Sequence, residues 1–193
     1  MNAALDHDFE AAAAAFAAAV IGGQLAAPVE ALIAQAGALR DQPEKALPLL
    51  ERARALAPRH PVPLIAIYRF HFYGHALEKA RAAGEDALAV ARSALGPDFG
   101  DVVPTEGATP GDAAVRFYLF TLKGLAYLHL RLGELEEAKR MLGELRRLDP
   151  QDHLGGGLLS YVLARHEAGE STSPAEGAAD SPVRGWAPQG SRP

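Results

Sequence analysis

An all-α fold is what this sequence predicts, and three observations carry that expectation. Ala, Leu, Glu and Arg dominate, aromatic residues make up 7%, and alternating stretches of Val, Ile, Thr and Tyr are missing. Glycine and proline stand as punctuation between runs of helix formers. An alanine also recurs twelve residues before a helix-ending position: Ala46 before Pro58, Ala80 before Arg92 with Gly96 and Pro97 soon after, Ala138 before Pro150. A chain of 193 residues is long enough for one domain with a real core.

Residues 2–20 are alanine-rich and read as a helix, with Asp6, Asp8 and Glu10 ahead of most of the alanines, near the positive end of the helix dipole. A secretory signal would open with positive charge, and alanine contributes too little transfer energy for a membrane span. The expectation is a soluble, cytoplasmic chain without membrane contact, in which this helix caps the N-terminal end of the fold. Its small side chains also offer a surface for a homodimer. Ala46 and Ala80 are 34 residues apart, and Ala80 and Ala138 are 58 apart, one period plus 24. Three helix-turn-helix units of 34 residues follow, at 27–60, 61–94 and 119–152, with a Gly-, Pro- and Asp-rich insertion at 95–118. Asp112 is placed to N-cap an early start of the next helix. Asp98, Asp101, Glu106 and Asp112 give the insertion the acids of a lid over a basic groove, set against a plain flexible loop. Residues 154–168 read as a C-terminal capping helix with Leu158, Leu159, Tyr161, Val162 and Leu163 as its apolar residues. Beyond 169 the composition collapses to Ser, Pro, Ala and Gly, so 170–193 is expected to be disordered, with the sole tryptophan, Trp186, as an isolated docking anchor or a residue without a role.

The 34-residue phasing resembles the tetratricopeptide repeat family. In 119–152, Leu122, Leu125, Ala126 and His129 fall where that family's first helix packs inward, Gly133 marks the turn, and Leu135, Ala138, Leu142 and Leu145 line the second helix before Pro150. In 61–94 the corresponding residues are Leu64, Ile67, Tyr68 and His71, then Leu77, Ala80 and Ala87, but Gly84 stands where the family carries a large side chain. In 27–60 the second helix matches through Ala46, Leu50, Ala53 and Pro58, while Glu30 and Gly37 occupy positions meant for bulk. The resemblance covers 102 of 193 residues. It implies a solenoid of three repeats with N- and C-terminal capping helices, whose concave face is lined by first helices. More narrowly, the runs "HPVPLIAIYRFHFYGHALEKA" and "RFYLFTLKGLAYLHLRLGELEEAKRMLGELRRLDPQD" are similar to small bacterial tetratricopeptide proteins found with nitrogen-fixation genes. That resemblance implies a part in nitrogenase maturation or its regulation.

The absence of cysteine excludes disulfides, thiolate metal sites and a cysteine nucleophile. The net charge of −5 offers no broad basic surface to nucleic acid. His71 and His75, four apart in "HFYGH", are the candidate metal ligands of a competing histidine-based metal protein, with His129 a third contributor. No glutamate lies between them, and the repeat register makes His71 and His129 equivalent packing positions and places His75 in the turn slot of Gly133. The glycine run in "HLGGGLLS" follows no strand, and nucleophile elbow, P-loop and dinucleotide motifs are missing. The chain is therefore expected to be neither an enzyme nor a cofactor carrier, but a scaffold that binds proteins. In the assigned register the concave face carries Gln35 from the first repeat, Arg69, Phe72 and Tyr73 from the second, and Lys123, Tyr127 and Arg131 from the third. This aromatic, basic groove in an acidic protein fits a peptide with acidic and apolar side chains. Lys123 matches one position of the family's carboxylate clamp, yet Tyr127 stands where that clamp has asparagine, which argues against chaperone tails as ligands.

Overall fold

The structure is a computed structural model and describes residues 3–21, 25–96, 99 and 112–169. Among these residues eight α-helices occur and no β-strand. Most of the 95–118 insertion, including three of its four lid acids, and the whole 170–193 tail with Trp186 lie outside the described residues.

Proline and short polar side chains set where the helices begin. Pro43 opens α3 (Pro43–Leu56) and Pro61 opens α4 (Pro61–Tyr73), at first-turn positions whose N–H has no intrahelical partner. Immediately before α4, Nδ1 of His60 accepts the N–H of Val62 at 3.3 Å. Asp112 caps α6 (Ala113–Leu132), its Oδ1 accepting the N–H groups of Ala114 at 2.8 Å and Val115 at 3.2 Å. The last six residues of the expected insertion are thus helical, and α5 (Leu77–Leu95) takes its first.

The second and third hairpins turn in the same way. After α4 the N–H of Ala76 bonds to the carbonyl of His71 at 2.9 Å, and after α6 the N–H of Glu134 bonds to that of His129 at 2.9 Å. This is the Schellman closure, which requires a left-handed residue just before the donor. Gly133 fills that slot with φ 76° and His75 fills its counterpart with φ 57°.

Three antiparallel hairpins result: α2 (Ala27–Ala38) with α3, α4 with α5, and α6 with α7 (Leu135–Leu148). They pack in chain order, α3 on α4 and α5 on α6, and α8 (Gly157–Glu167) lies mainly on α7. Ala46, Ala80 and Ala138 are wholly buried, small side chains that let the paired helices approach closely. α6 is buried on most of its circumference, with Phe117, Tyr118, Leu119, Leu122, Leu125 and Leu128 sealed from solvent, because α5, α7 and α1 (Ala3–Phe16) all pack against it. Tyr118 donates its hydroxyl to Oε1 of Glu144 on α7 at 2.6 Å, and burial together with that bond pushes the phenol well above its ordinary pKa.

Three expectations change here. α1, continued by a π-helical turn at Ala17–Ile21, does not cap the stack beside α2: it lies across α4 and α6. Its stripe of Phe9, Ala12, Ala13, Phe16 and Ala17 finds aromatic surface there, whereas α2 buries only Val29 and Ala36. Gly84 is no blemish in the pattern, since a Cβ there would stand 2.8 Å from Leu125 Cδ2 and 3.4 Å from the Tyr68 ring. The family's bulk at that position is replaced by a leucine and a tyrosine arriving from neighbouring helices. In α8 Leu163 is buried and Leu159 and Val162 are half-buried, but Leu158 and Tyr161 point to solvent, 71% and 61% exposed.

The 155–157 glycines also have a packing role. A Cβ on Gly156 would lie 2.6 Å from Leu145 Cδ2, and Asp152 takes the N–H of Gly156 at 2.5 Å and that of Gly157 at 3.1 Å. Among the described residues no helix is long and apolar enough to cross a membrane.

Two substitutions read these packing claims in opposite directions. Gly84→Leu should destabilise the fold by about 2 kcal/mol or more through overpacking against Leu125. His75→Gly should stabilise it by roughly 0.5–1 kcal/mol by relieving the left-handed backbone. Urea denaturation followed by far-UV circular dichroism measures both.

Candidate protein-docking face

Arg69, Phe72 and Tyr73 fall on the last two turns of α4, and Lys123, Tyr127 and Arg131 on the second half of α6. Five of these six form one contiguous patch. Phe72 stacks on Tyr68 at 5.9 Å, meets Tyr73 edge-on at 5.4 Å and reaches Tyr127 across the helix boundary at 5.8 Å. The Arg69 guanidinium lies 5.9 Å from the centre of the Tyr73 ring. Arg131 donates to the Tyr127 hydroxyl at 2.9 Å and also lies over its ring. Tyr73 and Arg131 are exposed, and Phe72 and Tyr127 are half-buried.

Lys123 turns away from that patch, its ammonium donating to the Leu154 carbonyl in the α7–α8 connection. Gln35 is exposed on α2 and takes part in none of the ring and ion-pair contacts that join the others among the described residues.

The adjoining half of the face is filled by α1. Phe9, 7% exposed, meets the Tyr68 ring edge-on at 5.7 Å and stacks on Phe117 at 6.1 Å and Phe120 at 6.4 Å. Phe16, wholly buried, stacks on Phe117 at 4.9 Å. Glu10 forms an ion pair with Arg69, and Arg116 lies 5.5 Å from the centre of the Phe120 ring. Phe9, Glu10, Phe16 and Phe117 are contributors that the repeat register does not single out. The i, i+3, i+4, i+7, i+8 stripe from Phe9 to Ala17 was the available signal.

Beside α1 the face opens into a cleft of about 870 Å³ between α1, α2 and α4. α2 packs chiefly on α3, so the space next to α4 is left open. Ala14, Ile33, Ala36, Ile65 and Phe70 supply apolar walls, and Arg69 lies at the α1 side.

The histidines occupy related packing positions. His71 is half-buried in a small cleft with Glu51 and Arg54 of α3 and Lys79 of α5. His129, 4% exposed, places Nδ1 2.6 Å from Glu134 Oε2, and Arg81 of α5 donates to the same carboxylate. Each imidazole thus lies close to the second helix of the preceding hairpin. Those hydrogen bonds hold the Glu134 carboxyl below the usual carboxylate range, Arg81 contributing more than His129. His75 is exposed in its turn, and no three His, Cys, Asp or Glu side chains gather at a metal-binding spacing among the described residues.

Comparison with curated proteins finds a relative in Azotobacter chroococcum mcd 1, an "uncharacterized 19.8 kDa protein in nifW 5'region". The two are 39% identical over 126 residues, 63% of this chain and 70% of the relative. No family model matches the chain, a tetratricopeptide one included, and no solved structure does.

The His71 environment leads to a pH effect. Burial, reinforced by the charge of Lys79 and opposed by Glu51, holds the imidazole below its free value of 6.5. The folded chain therefore favours the neutral ring, so its contribution is full above 6.5 and is lost as pH falls from there through the lowered value. His71→Gln should reduce the loss of stability on that acid side, read as the difference between wild-type and variant thermal midpoints across the same pH series.

Proposed function

The chain belongs to one family with the Azotobacter protein of the nifW 5′ region, and from that premise we propose that it is a nitrogen-fixation accessory protein that works by holding another protein, without catalysis. The genomic position of that relative is the observation that carries the nitrogen-fixation part. The binding part rests on the α4–α6 face. We read the three hairpins and α8 as a tetratricopeptide-like solenoid, with α4 and α6 on the concave side. The shared turn geometry after His71 and His129 supports a common phase for the second and third hairpins.

On this reading Phe72, Tyr73 and Tyr127 supply desolvated aromatic area, and Arg69 and Arg131 meet acidic side chains of the partner. The face suits nitrogenase maturation or regulation as a place where a client segment is held in an apolar, positively edged groove. No nucleic acid, cofactor or membrane enters this mechanism.

Deleting the gene in its own organism should slow growth on dinitrogen and leave growth on ammonium unchanged; equal growth on both would remove the nitrogen-fixation reading. Complementation with Tyr73→Ala/Arg131→Glu, two exposed positions, should restore growth poorly while the purified variant melts like wild type. Replacing an interface aromatic and an interface arginine should weaken partner affinity by roughly ten-fold or more. Full complementation would place the working surface elsewhere.

A further inference from the structure

α1 covers the half of the face that adjoins the exposed aromatic patch, and does so with a distinctive pattern: an aromatic residue, an acid directly after it, small residues at the next inward positions, and a second aromatic seven residues on. We propose that α1 is an internal stand-in for a partner's helix, and that the face between α4 and α6 receives an amphipathic partner helix with the same pattern, which displaces α1. This inference rests on the reading of the chain as a protein-binding module.

Three observations point to displacement rather than a permanent core helix. First, the hold is narrow. Among the described side chains of α1, two phenylalanines and the Glu10–Arg69 pair anchor the helix, while Ala12, Ala13 and Ala17 are buried but remove little area from water. A helix of 14 residues has little stability of its own, so its order depends on those contacts. Second, among the described residues nothing covers the outer side of α1 and the turn after it, where Ala11, Ala15, Ala18 and Ala19 are exposed. Third, the cleft of about 870 Å³ along its flank is not filled by α1, which lines that space with Glu10 and the small side chains of Ala13 and Ala14. A partner helix with a leucine at that place would bury more surface against Ile33 and Ile65 than α1 does. Arg69 selects the chemistry, because its present partner is a carboxylate one residue after the first aromatic.

The probe is a fluorescein-labelled synthetic peptide of residues 3–19 carrying Ala14→Leu, titrated by anisotropy against full-length wild type and two full-length variants. Glu10→Arg loosens the internal helix by opposing Arg69 and should bind the peptide about five-fold tighter than wild type. Ala14→Leu lets the internal helix fill the cleft and should bind it about ten-fold more weakly. A control peptide with Phe9 and Phe16 both replaced by alanine should not bind. Equal affinity in all three chains, or no binding by any of them while circular dichroism shows each folded, would overturn the proposal and make α1 a fixed part of the core. Concentration-dependent dimers of Glu10→Arg that the peptide dissolves would overturn it differently, by making a second copy of this chain the occupant. Neither failure touches the accessory role, which the deletion strain tests separately.

Discussion

Tyr68 is the side chain on which the arrangement of the middle of this molecule depends. It projects from α4 into a space bordered by Gly84 of α5 and, more tightly, by Gly124 of α6. A Cβ on Gly84 would lie 3.4 Å from the ring, and a Cβ on Gly124 would lie 3.1 Å from the hydroxyl oxygen. The tyrosine is 3% exposed, and its ring meets Phe9 of α1 edge-on and lies parallel to Phe72. Close packing makes such a junction intolerant of volume changes in either direction. It also links fold to site: the same ring that seats α4 against the next helices forms the floor on which α1 lies.

Much of the architecture was legible because it is local. The wholly buried alanines at 46, 80 and 138 mark hairpin crossings by their size, and the left-handed slot after α6 reads directly from Gly133. His75 could be assigned to that slot only by register, since histidine has no special claim to positive φ. Features set by distant contacts were not legible. Gly84 looked like a flaw because nothing local says that Leu125 needs the room. The amphipathic stripe of α1 was present in the sequence, but its docking site is built from the second and third hairpins, and no periodicity encodes which surface a helix chooses. Lys123 is a long, flexible side chain whose Cα position fixed the face it starts from and not where its ammonium ends.

The electrostatics of the face depend on α1 in a way that composition conceals. Three cations within a chain of net charge −5 suggest a positive groove. In the fold one is paired with Glu10, one lies against the Leu154 carbonyl, and one is bonded to a tyrosine hydroxyl on its own helix. The surface presented to solvent is therefore more aromatic than basic, with Tyr73 half exposed beside an apolar cleft.

That distribution decides what an arriving acid can contribute. If a carboxylate takes the place of Glu10 on Arg69, one ion pair replaces another in the same half-exposed setting, and the electrostatic terms largely cancel. Its role is then to fix register, because a helix slipped by one residue would set an acid against the aromatic floor and leave Arg69 facing an apolar side chain. Affinity has to come from area that α1 leaves unburied, and the cleft beside Ala14 is where the structure offers it. For the proposed partner helix, specificity and strength would thus rest on different atoms of the same face: the guanidinium of Arg69 would set the alignment, and the apolar wall of Ile33, Ile65 and Phe70 how tightly an aligned helix is held.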